Sequence, residues 1–424
     1  MGKIQLLSTA LLMFALTANA QDKNAAKAEK EAAKEAQSVL KKAKQNYEMS
    51  IPNAQYGRKE TNFEKLDGAK NLIDQALNNK YTSNDPNTYK VATDIYFEYF
   101  KKNEEAAKTD ESLMPQFISD AEKVVDYAIK YDSLVQLDPK KKDAEKTFVN
   151  EQYRNIATNP LLQCLQASQN YSNGETQEDF KKGYNLSTKV VNAFTKSHLF
   201  STFKNDNLED WILYSKTFRA QSLASIENAK PADVEEAYKQ LYGTKYESVA
   251  FSSLINYYQE RDKAKYMDIL KYAYENAKDE NAASFSFMYM QSLYQNDKKD
   301  ECEKVIDILV KKYPDNDNTL NAYLMKGQIM FEKKKFDEAE KYFEEVAQKY
   351  PKEEAAITMP AKCAWMKAQN SALKADREHA IKLFKDLEAK YPDNPDLWGE
   401  PLYILYNNNN QLQLRDKYKK YYKG

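Results

Sequence analysis

The sequence is short of glycine, which supplies only 9 of its 424 residues, well below the usual share of about 7%. Sheet-rich folds, dinucleotide-binding loops and phosphate-binding loops need glycine where the chain turns tightly or approaches a ligand. The scarcity of glycine argues against all three classes. Lysine, glutamate, alanine, leucine and glutamine are abundant instead, and these residues lose little conformational freedom in a helix. The composition therefore predicts an all-α protein.

Residues with catalytic or metal-binding chemistry are also scarce. The chain has two histidines, His198 and His379, and it lacks the Gly-x-Ser-x-Gly, Walker and His-Glu-x-x-His motifs. We expect His379 to lie on the surface of a helix, and His198, near a helix end, to have a dipole or capping role. The sequence thus predicts a protein that is not an enzyme and that holds no metal and no cofactor.

Three cysteines, Cys164, Cys302 and Cys363, are too few and too far apart for a disulfide framework or a zinc site. Their odd number leaves at least one free thiol in an oxidising compartment. We expect all three to act as small apolar residues on buried helix faces. A disulfide between Cys302 and Cys363 is the alternative.

The sequence has no excess of charge of either sign, since 63 basic residues face 64 acidic ones that are interspersed along the chain. It therefore carries no electrostatic footprint for nucleic acid or for an anionic membrane. Dense mixed charge is typical of the solvated faces of helices. We expect a protein or peptide partner and no nucleic acid.

Long apolar runs are missing after the first twenty residues, so no transmembrane segment is expected. Residues 1–20 combine Lys3, an apolar run, and small residues at Ala18 and Ala20, which is the pattern of a cleaved export signal. No cysteine follows the run, so a lipid anchor is not predicted. We expect cleavage after Ala20 and a periplasmic protein; an uncleaved N-terminal anchor is the alternative.

Beyond the signal, the chain divides by composition. Residues 21–55 form an Ala/Lys/Glu-rich lead-in helix and linker, interpreted as marginal or detached because few large apolar residues lie on it. Residues 56–282 alternate apolar-periodic segments with short breaks, the rhythm of divergent helical hairpins. Residues 283–394 contain clear repeats, and residues 395–424 are predicted to form a C-terminal capping helix.

The repeats are marked by Lys-Tyr-Pro, which occurs with its proline at Pro314, Pro351 and Pro392, at intervals of 37 and 41 residues. Twelve residues before each proline lies a small residue, and eight before it lies a large apolar one. The small residues are Cys302, Ala339 and Ala380, and the large ones are Ile306, Phe343 and Phe384. A small residue allows two helices to approach closely, and a large one fills the groove one turn further along the same face. The proline ends the second helix of each unit.

The segment at residues 322–351 resembles the tetratricopeptide repeat (TPR) family, whose unit has an aromatic, a small residue, then alanine, an aromatic and proline at characteristic spacing. Tyr323, Gly327, Ala339, Phe343 and Pro351 occupy those positions. The resemblance covers residues 283–394. It implies an α-solenoid of stacked antiparallel helical hairpins, a TPR-like right-handed superhelix.

The same resemblance implies a function, because in this family the first helices of successive hairpins line a concave groove that holds a peptide or a partner's helix. The implied role is that of a periplasmic scaffold for protein partners, with envelope or outer-membrane assembly as the expected setting. Transferred by register, the groove residues are Phe287, Gln291, Tyr294, Leu324, Gln328, Phe331, Trp365, Gln369 and Leu373. A glutamine recurs in each repeat, and its amide can both donate and accept hydrogen bonds.

Three other interpretations stay open from the sequence. The many aromatic residues also suit a carbohydrate-binding protein resembling starch-uptake surface proteins. An enzyme resembling α-helical glycosidases, built from carboxylates on hairpins, is a third class. Separately, Asp132-Ser133-Leu134 resembles a short acceptor for protein O-glycosylation in exported bacterial proteins.

Overall fold

The computed structural model describes the backbone of residues 2–278, 280–371 and 373–423, and within these ranges the side chains from residue 25 onwards. The predicted export signal, residues 1–20, and its cleavage point after Ala20 lie outside the residues whose side chains are described. The described residues form helices, and Asn53 and Arg58 form an isolated β-bridge. No helix among them combines the length and the apolar character needed to cross a membrane.

The α-helices follow one another with short connections. They are α1 (Gly2–Ser50), α2 (Phe63–Leu77), α3 (Pro86–Ala107), α4 (Met114–Leu137), α5 (Asp143–Ser172), α6 (Gln177–Lys196), α7 (Leu208–Ser225), α8 (Pro231–Lys239), α9 (Glu247–Tyr258), α10 (Lys263–Asn276), α11 (Ala282–Gln295), α12 (Lys299–Lys312), α13 (Thr319–Glu332), α14 (Phe336–Lys349), α15 (Glu354–Asn370), α16 (Lys374–Lys390), α17 (Gly399–Asn408) and α18 (Leu412–Tyr418). Within each of the two compact units described below, consecutive helices pack on one another. The predicted all-α class of stacked helical hairpins is confirmed.

Two compact units make up the chain, residues 1–246 and residues 247–424. In the first unit, α1 packs on α2. Ala36, Leu40 and Ala43 lie one turn apart on α1 and are buried, and Leu40 and Ala43 share a core cluster with Leu66 and Ile73 of α2. The interpretation of the lead-in helix as marginal or detached is therefore wrong. Small side chains at Ala36 and Ala43 allow a close approach that a count of large residues overlooks.

The first unit also buries tyrosine hydroxyls between its helices. Tyr96 of α3 donates to Asp74 of α2 at 2.8 Å, and Tyr153 of α5 donates to Asp94 of α3 at 2.9 Å. A buried hydroxyl needs such a partner, because leaving it unpaired costs about 1–3 kcal/mol. These bonds fix neighbouring helices against one another at single points.

In the second unit the repeat register is confirmed. The small residues Cys302, Ala339 and Ala380 are completely buried, as are the large ones one turn later, Ile306, Phe343 and Phe384. Gly327 shows why the register is strict: a Cβ atom at this position would lie 2.3 Å from Cζ of Phe343. The hairpin of α13 and α14 can close only because residue 327 has no side chain.

Each Lys-Tyr-Pro sequence ends a second helix in the same way. Tyr313, Tyr350 and Tyr391 follow α12, α14 and α16 with φ of −129°, −124° and −131°. The N–H of each tyrosine donates to the carbonyl four residues earlier at 2.8 Å. The proline that follows has no N–H with which to continue the helix. Trp398 Nε1 then donates to the carbonyl of Tyr391 at 2.8 Å, which ties that ending to the next hairpin.

The turns inside the hairpins are also alike. Asp297, Lys334 and Asn410 have φ of 58°, 58° and 55°, the left-handed conformation that closes many helices. In each case the next residue donates its N–H to the carbonyl five positions earlier, at 2.9 to 3.0 Å. The third of these turns joins α17 to α18, so the single capping helix predicted over residues 395–424 is instead a further hairpin.

Candidate functional site

A cleft of about 470 Å³ lies on the first helices of the repeats, α11, α13 and α15. We call it the first-helix cleft. Its lining residues are Phe287, Gln291, Tyr294, Asn321, Leu324, Met325, Gln328, Phe343, Ala355 and Met359. Five of the nine residues predicted for the groove are therefore brought together in one cleft.

Helical spacing explains how these side chains meet. Phe287, Gln291 and Tyr294 lie at positions i, i+4 and i+7 of α11, which places them on one face. Leu324 and Gln328 have the same i, i+4 spacing on α13. Two adjacent first helices thus present an apolar residue followed one turn later by an amide.

The cleft is uncharged because the first helices are nearly uncharged. None of the 14 residues of α11 carries a charge, whereas eight of the 14 residues of α12 do. Two lysines of these hairpins are paired with carboxylates: Lys326 with Asp307, and Lys299 with Glu332 at 3.0 Å. The charge of each hairpin is therefore concentrated on its second helix.

A small hydrogen-bond network holds the rim of the cleft. Tyr294 donates to Glu332, and Gln328 Nε2 and Lys299 Nζ donate to the same carboxylate at 3.0 Å. Partial burial raises the pKa of Glu332, but these three bonds outweigh burial and lower it below its ordinary value. Burial, followed by the bond to Glu332, raises the pKa of Tyr294 to about 12. The network orients two of the predicted groove residues.

The other four predicted residues lie outside the cleft. Phe331 packs beside Ala339 and Phe343, and Trp365 packs edge-on against Phe384 in the core of the C-terminal hairpins. Gln369 is exposed near the end of α15, and Leu373, 64% exposed, precedes α16. Phe331 packs toward α14, and α15 contributes Ala355 and Met359, near its N-terminal end, to the cleft.

Sequence reasoning also missed lining residues that it could have found. Asn321 and Met325 lie one turn before Leu324 and Gln328 on the same face of α13. Extending the predicted face by one turn would have included both. Ala355 and Met359 of α15 would have required knowing where that helix begins.

Each histidine lies within hydrogen-bond distance of a carboxylate. His379 Nε2 lies 2.6 Å from Glu340 and is half-exposed, as expected of a surface residue. His198 Nδ1 lies 2.9 Å from Oδ2 of Asp132, a carboxylate that is completely buried in α4. Within Asp132-Ser133-Leu134, Asp132 is therefore buried and bonded inside α4, while Ser133 is partly buried.

All three cysteines are free thiols and buried, as small apolar residues would be. Burial raises the pKa of Cys302 to about 11 and that of Cys363 to about 12, and it raises the pKa of Cys164 as well. Thiols with raised pKa values are poor nucleophiles. Among the described residues, no group of three or more histidine, cysteine, aspartate or glutamate side chains is arranged to hold a metal ion.

No protein-family model and no curated protein sequence matches the chain. Solved structures with a similar arrangement of helices include yeast Tom70, 14% identical, with a TM-score of 0.30 over 91% of this chain and 91% of that one. The TPR domain of P58(IPK) is 12% identical, with a TM-score of 0.23 over 77% and 91% of the two chains. The APC/C hetero-tetramer Cut9-Hcn1 has a chain that is 13% identical, with a TM-score of 0.22 over 84% and 75%.

These likenesses concern the fold alone. Residues 283–394 show a register of small and large residues, a close contact of Gly327 with Phe343 and three equivalent helix endings. These features agree with the resemblance of their sequence to tetratricopeptide repeats.

Proposed function

We propose that this chain is a non-enzymatic scaffold which binds an uncharged, apolar segment of a protein partner in the first-helix cleft. The observation that carries the proposal is the uncharged lining of the cleft, set between second helices that are dense in charge. A cleft of this composition desolvates an apolar segment without burying an unpaired charge.

The lining residues favour a peptide segment over a rigid small molecule. Met325 and Met359 are flexible and polarisable, so they can adapt to side chains of different shape. Gln291 and Gln328 offer amides that can bond to the N–H and C=O groups of a peptide backbone. No lysine or arginine lines the cleft, so it does not suit an acidic tail or a terminal carboxylate.

We further propose that the chain is exported and acts in the periplasm, in envelope or outer-membrane assembly. The support is the apolar run and the small residues Ala18 and Ala20 within residues 1–20. An uncharged apolar segment is also what an unfolded outer-membrane protein presents before assembly. Fusing residues 1–20 to an alkaline phosphatase that lacks its own signal tests the location. Phosphatase activity in the periplasm is expected, and an inactive cytoplasmic fusion would refute export.

No catalytic step is part of the proposal. Both histidines are engaged with carboxylates, and the thiols are buried with raised pKa values. The carbohydrate-binding alternative is favoured by no observation in this cleft. A calorimetric titration with maltoheptaose that shows heat of binding abolished by Leu324→Lys would revive it.

Selection of displayed random peptides tests the central proposal. Peptides retained by the wild-type chain should be apolar and poor in charge, and their affinities for a Leu324→Lys variant are then measured. The substitution places an ammonium group in the cleft, so it should weaken the selected peptides by at least about tenfold. Ile308→Lys is the matched control, because Ile308 is an exposed apolar residue on α12 outside the cleft.

The outcomes are distinguishable. If both lysine variants bind the selected peptides as well as the wild type does, the first-helix cleft is not the binding site. If the retained peptides are acidic, the assigned partner class is wrong. Phe331 and Trp365 are unsuitable for this test, since both belong to packed clusters and a charge there would disturb folding.

A further inference from the structure

A second cleft, of about 420 Å³, lies in the first unit between α5 and α7, far along the sequence from the repeats. We call it the α5/α7 cleft. One wall carries Trp211, Tyr214 and Phe218 of α7, and the other carries two leucines with Gln166 and Gln169 of α5. None of the lining side chains is charged. A ligand of this cleft should therefore be neutral.

The aromatic wall is flat and firmly held. Trp211, Tyr214 and Phe218 lie at positions i, i+3 and i+7 of α7, on one face. The ring planes of Tyr214 and Phe218 differ by only 8°, and their centroids lie 6.2 Å apart. Behind them, Trp211 stacks on Phe194 and Phe203 at 5.9 and 6.4 Å. Tyr214 is nevertheless 40% exposed, which leaves ring surface open to a ligand.

The cleft offers donors that a ligand can use. Gln166 Nε2 donates to Gln169 Oε1 at 3.4 Å, which leaves the Gln169 amino group available. Trp211 Nε1 can only donate, and it has no acceptor among the described residues. A matching ligand offers acceptors and flat apolar faces, and brings few donors of its own.

From this chemistry we propose that the α5/α7 cleft binds a proline-rich segment in the polyproline II conformation. Such a segment has unbonded carbonyl acceptors, and its prolines have no N–H. Proline rings are flat apolar faces that dock in aromatic-lined grooves. Polyproline II has three residues per turn and rises by about 3.1 Å per residue, so one of its faces presents a residue about every 9 Å to the wall of Trp211, Tyr214 and Phe218.

The contrast with the first-helix cleft supports this choice. That cleft contains two methionines, which adapt to varied side chains, whereas the α5/α7 cleft has parallel rings and no methionine. A rigid flat wall suits a ligand that is itself preorganised, since little conformational entropy is lost on binding. The two clefts share no lining residue, so ligand binding at the α5/α7 cleft can be tested independently of peptide binding at the first-helix cleft.

Fluorescence anisotropy with a labelled decaproline peptide tests the proposal on the full chain. Decaproline should bind, and a Gly-Ser peptide of equal length should not. Tyr214→Ala should weaken binding by at least about tenfold, the range expected when an aromatic anchor is lost. Gln169→Ala should weaken it about two- to tenfold, as one hydrogen bond is removed. Tyr272→Ala, which removes a tyrosine with the same 40% exposure from α10, should leave the affinity unchanged.

A second variant separates ring stacking from folding. Tyr214→Leu keeps apolar volume but has no flat ring, so it should bind decaproline as weakly as Tyr214→Ala does while melting like the wild type. Decaproline binding that survives Tyr214→Leu would overturn the proposal, as would no binding at millimolar peptide. Binding of maltoheptaose or cellohexaose in place of decaproline, lost in Tyr214→Ala, would reassign the cleft to a carbohydrate.

Discussion

Both compact units contain tyrosine–carboxylate bonds between helices, but those of the first unit are more deeply buried than the bond of Tyr294 with Glu332 in the second. In residues 1–246, tyrosines of one helix bond to carboxylates of another, as Tyr96 does with Asp74 and Tyr153 with Asp94. In the repeats of residues 247–424, a small residue faces a large apolar one, as Gly327 faces Phe343. The first arrangement depends on individual pairs, and the second on a spacing that recurs.

This difference explains why only one unit has a visible repeat. A small residue followed one turn later by a large one must recur at fixed offsets if hairpins of equal shape are to stack. Tyrosine–carboxylate pairs need no common offset, and these two span 22 and 59 residues. Tyrosines that bond to carboxylates between helices have a structural role. The presence of 32 tyrosines is therefore weaker evidence for a carbohydrate-binding surface.

The largest effect on stability is expected at the contact between Gly327 and Phe343 in the repeats. Phe343→Ala should lower the free energy of unfolding by about 3–5 kcal/mol, because it empties a buried site. Gly327→Ala should also destabilise the wild type, since its Cβ would overlap the Phe343 ring. Urea denaturation of the double variant should show that the two costs do not add. Additive costs would mean that the two residues do not share one contact.

A smaller effect is expected at the hydroxyl–carboxylate pairs. Tyr153→Phe should destabilise the first unit by about 1.5–3 kcal/mol, because the buried carboxylate of Asp94 loses a donor. Tyr289→Phe is the control in the second unit, where a buried ring makes no hydrogen bond to another described residue. Its thermal unfolding should match that of the wild type. Equal losses in both variants would remove the distinction between the units.

The turn in the central repeat offers a stabilising change. Lys334 has φ of 58°, which costs a residue with a Cβ about 1–2 kcal/mol. Lys334→Gly removes that strain at an entropic cost of about 0.5–1 kcal/mol, so a gain of about 0–1.5 kcal/mol is expected. Lys341→Gly, in the interior of α14, should instead cost about 1 kcal/mol. Calorimetric melting of both variants shows whether each substitution raises or lowers stability. A lower stability of Lys334→Gly would contradict the assigned turn.

The smallest effect is pH-dependent and concerns the rim of the first-helix cleft. The pKa of Glu332 lies below its ordinary value of 4.5, so ionised Glu332 contributes stability above pH 4.5 that is lost as the pH falls through the lower, folded-state pKa. Glu332→Gln should therefore melt slightly below the wild type at pH 7, and the gap should close near pH 3. A gap of the same size at both pH values would show that ionisation is not involved.

Much of the fold follows from the sequence, and the reasons for the misses are physical. Fixed offsets from each proline correctly identified Ala339 and Phe343 as buried. The docking of α1 on α2 was not predicted, because the prediction looked for large apolar side chains. The small side chains of Ala36 and Ala43 instead allow the two helices to approach closely. The cleft was found in part, since α15 lines it with Ala355 and Met359, near the start of the helix, and not with Trp365. Pairs such as Tyr153 with Asp94 leave no periodic signal at all.

The three equivalent Lys-Tyr-Pro endings make the repeats interchangeable as pieces of chain. Deleting residues 314–350 would join Tyr313 directly to Pro351, and both sides of the new junction already have the required backbone conformation. Gain or loss of one hairpin by recombination would therefore need no newly designed turn. Such a protein can become longer or shorter by one complete hairpin at a time, and the C-terminal ends of the remaining helices stay unchanged. The number of first helices available to a partner changes with it.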